Sequence, residues 1–178
     1  MFAGQYFNEF DPSLHVIEPF SPDGSFVRYC ALDYGLDMLA AVFVAVDADG
    51  RAFVYDEVYH SGLIVSDAAK KIREKAAGVT VFIAPCDLWS RQKDSGKSIA
   101  ELFAENGVYL TKIFPERVQG WLCLKEWLKP IKNGEKLDCR MKIAKNCVNL
   151  LRTLPLLLHD GKIPGDVATK PHEITHAP

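Results

Sequence analysis

The chain has 178 residues, 48% of them apolar, and a formal net charge of −2, enough apolar material to build a core and too much for a disordered tail. No stretch approaches the ~20 apolar residues that span a bilayer, and five cysteines without a Cys-x-x-Cys pair argue against both a zinc knuckle and a complete disulfide framework. Charge is uneven: residues 1–89 carry 6 basic and 13 acidic groups, residues 90–178 carry 15 and 10. The acidic half could bind cations and the basic half phosphates, although two solvated surfaces explain the same imbalance more simply.

In chain order, residues 1–27 are rich in aromatic, Pro and Asp residues without helix or strand period and read as an ordered lead-in arm. Three strands follow, at roughly 28–33, 40–47 and 51–59, the last two joined through the tight turn Asp47-Ala48-Asp49-Gly50. Ser66 is placed to cap a helix from Asp67 to about Ala77, which Gly78 stops. Residues 79–84 form an almost wholly apolar run between Gly78 and Pro85, which predicts a strand buried on both faces at the sheet centre. A helix near Ser98–Glu105, a strand at 108–113 and a helix from about Pro115 make the second half parallel. Asn133-Gly134 marks a basic hairpin or loop within 129–138, and 140–154 reads as a short strand entering a helix that Pro155 ends. Beyond His159 the text is loop-like. The fold class expected is α/β, with a central mixed sheet, an antiparallel meander followed by parallel strands, flanked by helices.

Several residues can do chemistry, each with a plainer structural role beside it. Asp33 ends the first strand and is followed by Gly35, which permits a sharp turn or a close approach. Asp87 follows the apolar strand, at the carboxyl edge where parallel sheets place ligands. Strands beginning near 28 and 79 can lie side by side and bring both carboxylates to one edge, where hard oxygen ligands hold Mg²⁺ or Mn²⁺ for phosphodiester hydrolysis. Glu57 is a further metal candidate from the third strand, with a surface role equally consistent; Asp37 and Asp56 are weaker. Either acid alone could simply cap a turn. Gly96-Lys97-Ser98 lacks the first glycine of a phosphate-binding loop, because Arg91 stands there. Arg91, Lys93 and Lys97 then form a basic loop that, with Lys132, Lys136, Arg140, Lys142 and Lys145, supplies the candidates for phosphate contacts. His172-Glu173-Ile174-Thr175-His176 has His-Glu-x-x-His spacing but leaves no room for the rest of a zinc-protease site.

Taken in order, Gly4–Phe10, His15-Val16-Ile17, Ala31-Leu32-Asp33-Tyr34-Gly35, Asp49-Gly50-Arg51 with Tyr55-Asp56-Glu57, Asp87, Cys147–Pro155 and Gly165-Asp166-Val167 resemble the C-terminal nuclease domain of the large terminase subunit of tailed bacteriophages and prophages. The resemblance implies a ribonuclease H-like fold and a two-metal site for Mg²⁺ or Mn²⁺. The implied activity is metal-dependent cutting of concatemeric viral DNA during packaging, in the cytoplasm of a bacterial host. Implied partners are double-stranded DNA, the terminase ATPase domain, the small terminase subunit and the portal protein, with no membrane. Asp33 and Asp87 match the first two family aspartates, and His176 matches a histidine that precedes the third, whose place would fall after Pro178. Either that third aspartate follows Pro178, or Asp166 or Glu173 substitutes for it within this sequence. Residues 1–178 are expected to be one nuclease domain, cut at its C-terminal end and without the ATPase motor. A non-catalytic module docking the motor onto DNA or the portal, or another ribonuclease H-like enzyme such as a resolvase or transposase, are the alternatives.

Overall fold

A computed structural model describes residues 4–35, 37–92, 96–163 and 165–169. The lead-in is more regular than its sequence predicts. Asp11 caps the single turn α1 (Pro12–His15) by accepting from the Ser13 amide at 2.8 Å, and β1 (Val16–Ile17) then joins the main sheet. The meander is β2 (Val27–Tyr34), β3 (Met38–Val46) and β4 (Ala52–Ser61). Its second turn closes because the Asp47 carboxylate accepts from the amides of Asp49 and Arg51 while Gly50 takes φ +74°.

Helix α2 (Val65–Lys75) starts earlier than its sequence signal: the Ala68 amide donates to Ile64 O, so Ser66 lies inside the helix and Ile64 caps it without a side-chain bond. Next come β5 (Val81–Pro85), a 3-10 turn at Cys86–Trp89, and α3 (Ile99–Glu105). Ser98 and Glu101 form a reciprocal capping box at the start of α3. The chain continues through β6 (Leu110–Ile113), α4 (Arg117–Leu128), the hairpin β7 (Ile131–Asn133) and β8 (Lys136–Asp138), β9 (Met141–Ala144) and α5 (Val148–Thr153), which passes into a 3-10 turn containing Pro155.

The seven-stranded sheet has the order β1-β9-β4-β3-β2-β5-β6, antiparallel through the meander and parallel for β2-β5-β6, β4-β9 and β1-β9. This is the mixed sheet expected. The position of β5 is not: it lies one strand in from the edge, and most of its residues are only half-buried. An apolar run reports burial and cannot report how many strands lie beyond it, and here the end of β5 at Pro85 borders a cavity.

Alternation along β2 and β3 divides the core. Cys30, Leu32, Leu39, Ala41 and Phe43 pack against Ala68, Ala69 and Ile72 of α2 and Phe103 of α3. On the other face Val42, Val44, Val54 and Ile143 meet Leu150, Leu154 and Leu128, together with Tyr6 and Phe7 of the lead-in. The lead-in is fixed there by Tyr6 N donating to Leu157 O at 2.8 Å, Tyr6 Oη donating to Gly165 O at 2.6 Å and Lys125 Nζ bridging Tyr6 O and Glu9. Among the described residues no helix is long and apolar enough to cross a membrane.

Candidate active site

Asp33 is the next-to-last residue of β2 and pairs with Ala40 of β3, so its side chain shares a face with Ala31, Ala40 and Val42. On the other side β2 runs parallel to β5 with Ala31 opposite Ile83, a register that carried two residues further aligns Asp33 with Pro85. Asp87 follows in the first turn of the 3-10 segment. Both carboxylates are therefore exposed at the carboxyl ends of adjacent parallel strands, the edge at which such sheets present ligand groups. The Gly35 turn is tight for a local reason: its amide donates to Met38 O at 2.8 Å, and a Cβ there would meet Asp37 Oδ1 at 2.6 Å.

A cavity of about 670 Å³ opens beside Asp33, bounded by Ala31, Ala40 and Val42 of the sheet, by Pro85 and Ile113 at the ends of β5 and β6, by Glu116, and by Arg117, Trp121 and Leu124 of α4. Of α4 only Leu128, near its C-terminal end, is fully buried, while Trp121 and Leu124 are partly buried and face the cavity.

Glu57 is not brought to this edge. It pairs with Val42, two strands from β2, and its buried carboxylate is committed elsewhere: Oε1 accepts from the Asn149 amide at 2.7 Å and Asn149 Nδ2 at 2.8 Å, and Oε2 from the Leu150 amide at 3.0 Å. Cys147, the N-cap of α5, makes no side-chain cap bond, so Glu57 does that work from a distant strand. Asp56 is likewise engaged, with Lys75 Nζ at 2.6 Å. Asp166 is buried and accepts from Arg117 Nε at 2.8 Å, Trp121 Nε1 at 3.0 Å and the Val167 amide at 2.7 Å. Burial works to raise its carboxyl, but the bonds from Arg117, Val167 and Trp121 outweigh that and hold it below the usual aspartate range. His176, Glu173 and Lys93 lie outside the described residues, and among the described residues no group of three His, Cys, Asp or Glu is arranged to hold a metal ion. The donor set at the edge, two exposed carboxylates, has the hard-oxygen chemistry that fits Mg²⁺ or Mn²⁺ and supplies part of a coordination shell.

No family model matches the sequence, and no curated protein matches it. Solved structures do. The nuclease domain of the P22 large terminase is similar over 97% of this chain and 87% of its own length, at 15% identity and a TM-score of 0.76. The fold is that of a large-terminase nuclease domain, a ribonuclease H-like architecture. A large terminase from a thermophilic bacteriophage is similar over 93% of this chain at 16% identity and a TM-score of 0.69, and the chain spans 40% of that protein's length. The nuclease domain of the bacteriophage SPP1 large terminase, solved with bound Mn, is similar over 91% of this chain and 86% of its own, at 18% identity and a TM-score of 0.57.

On this terminase-nuclease frame the basic residues separate. Arg91 is exposed four positions past Asp87, where it bridges Ser98, and Lys97 pairs with Glu105 at 2.5 Å. Lys142 is half-buried, donating to Leu14 O and Asp138 Oδ1, each at 2.9 Å. Its strand partner Phe53 pairs with Ala45, which pairs with Arg28, so Lys142 sits five residues below Asp33, about 17 Å along the sheet. Lys145 is paired with Glu18 of the lead-in. Lys132 and Lys136 project from the exposed β7–β8 hairpin, and Arg140 lies 5.8 Å from the Trp127 ring. Arg117 had not been singled out from sequence. One signal was available: an arginine in the first turn of a helix opposes the helix dipole and calls for an anionic partner.

Proposed function

We propose that this chain is a metal-dependent endonuclease domain of a DNA-packaging terminase that cuts concatemeric viral double-stranded DNA. The observation carrying this reading is the pair of exposed carboxylates, Asp33 and Asp87, at the ends of adjacent parallel strands in a terminase-nuclease fold. The bound Mn of the SPP1 relative supports a divalent metal. Asp33 and Asp87 would hold Mg²⁺ or Mn²⁺, with His176 and the segment around it completing the site. Two such ions, when bound, would activate a water and stabilise the leaving oxygen of the phosphodiester. The chain's own part is to orient two carboxylates, Asp33 on β2 and Asp87 in the 3-10 turn after β5, and to present the phosphate from the cavity beside α4. Arg91 and Lys97, close in sequence to Asp87, and the hairpin lysines are the remaining DNA contacts in this reading; Lys142 and Lys145 contribute only where their partners release them. Residues 1–178 act as one nuclease domain that works with a terminase ATPase domain, the small subunit and the portal in a bacterial host.

Plasmid cleavage in Mn²⁺ tests the reading with Asp33→Asn and Asp87→Asn beside the unaltered protein. The expected outcome is nicking and linearisation by the unaltered chain and at least a hundredfold loss in either variant. Equal activity in all three would sink the assignment. DNA binding without cleavage by the unaltered chain would favour the docking-module reading.

A further inference from the structure

We propose that Arg117 is a phosphate-binding residue of this site, gripping the DNA backbone across the cavity from Asp33; the inference rests on the nuclease reading above. Among the described residues lining the cavity, Arg117 is the one cation, and Asp33 stands on the opposite, sheet-side wall. The volume of about 670 Å³ is that of a ligand pocket. Ala31, Val42, Ile113 and Trp121 make much of its lining apolar, and the Arg117 side chain, 45% exposed, stays within reach of a ligand entering from solvent.

The arginine is held ready for such a contact. Its Nε donates to Asp166 at 2.8 Å, its Nη2 to Val167 O at 3.1 Å, and its guanidinium carbon lies 5.6 Å from the Trp121 ring centre. Trp121 Nε1 and the Val167 amide fix Asp166 in turn, so the support cannot swing away. Nη1 makes no hydrogen bond to a described residue, which leaves one edge of the planar fork for a ligand oxygen. Position adds to this: Arg117 opens the 12-residue helix α4, whose N-terminal amides also favour an anion. Glu116 lines the same cavity and offsets part of the helix-end field, so the guanidinium and not the helix terminus is the anion's partner. A phosphodiester approaching Asp33 and Asp87 meets negative charge, and Arg117 supplies the opposing positive charge from the helix side. Lys142 and Lys145 do not line this cavity and are tied to Leu14, Asp138 and Glu18.

The test is binding of a short DNA duplex by fluorescence anisotropy across a salt series in Ca²⁺, with cleavage kinetics in Mn²⁺ alongside. Arg117→Met should lower the slope of log affinity against log salt by about 0.9, one lost phosphate contact, and reduce kcat/KM by roughly tenfold to a hundredfold. Arg117→Lys keeps the charge and should keep the slope while recovering only part of the cleavage rate. A structural role alone would change the melting temperature or the active fraction but not the slope. If Arg117→Met does not fold, Arg117→Gln keeps a donor for Asp166 without the charge and carries the same slope test. An unchanged slope in the folded neutral variant, or no measurable DNA binding by the unaltered protein, overturns the proposal. Full activity in Asp33→Asn would instead overturn the nuclease reading, and the slope would still report on Arg117.

Discussion

Replacing Glu57 separates two roles for one carboxylate. In the structure it accepts three hydrogen bonds at the start of α5, two of them from the amides of Asn149 and Leu150, and it is only 8% exposed. Glu57→Ala leaves those donors without a partner at a helix end whose own N-cap side chain makes no bond. An unsatisfied buried donor costs about 1–3 kcal/mol and the lost dipole interaction a few tenths more, so a net loss of about 3 kcal/mol is expected. For a chain of this size that lowers the melting temperature by roughly 6–12 °C. Glu57→Gln keeps an acceptor and the side-chain shape and should cost about 1 kcal/mol, or roughly 2–4 °C. Differential scanning fluorimetry with and without Mn²⁺ reads both quantities, and the rise on adding Mn²⁺ should persist in Glu57→Gln, because the capping carboxylate is not needed for the metal. A drop below about 2 °C in Glu57→Ala, or loss of the Mn²⁺ response in Glu57→Gln without loss of stability, would refute the capping account and restore Glu57 as a metal ligand.

Gly78 has φ +72°, and a Cβ there would lie 2.5 Å from Arg28 Nη1, whose bond to Ala77 O holds the end of α2. Gly78→Ala should therefore destabilise by at least about 1–2 kcal/mol, seen as a lower urea midpoint with unchanged slope. Ser98→Ala breaks the capping box of α3 and should cost about 1 kcal/mol by the same assay. The Asp166 carboxyl titrates below its unfolded value, so its contribution is complete above the ordinary aspartate pKa and is lost as the pH falls through the lowered folded one. Asp166→Asn should accordingly lower stability at neutral pH and flatten the acid limb of the stability curve below about pH 4; an unchanged limb would remove Asp166 from the acid transition.

Local pattern carried the strands of the meander, the Asn133-Gly134 hairpin, the helix near Ser98–Glu105 and the position of Asp33, because each depends on residues a few places apart. What it missed depends on partners far along the chain. Glu57 reads as a metal candidate or a solvated surface acid of the third strand until α5, 92 residues on, is folded against it. Lys142 and Lys145 look like free basic residues, yet the lead-in engages both at separations of 128 and 127 residues. The Arg117–Asp166 pair spans 49 residues, and the cavity it borders is lined by segments from 31 to 124 that no local spacing brings together. The apolar run of β5 reads as burial on both faces and hence as the sheet centre, whereas the strand order puts a single strand outside it.

The most direct test of the metal-dependent nuclease account is a crystal soaked in Mn²⁺ and measured at the manganese absorption edge. The account predicts anomalous density at the carboxyl ends of β2 and β5, with oxygens of both Asp33 and Asp87 about 2.2 Å from a cation and Glu57 still bound to α5. Manganese bound elsewhere, or Asp33 and Asp87 turned to opposite faces of the sheet with no shared ion, would contradict it.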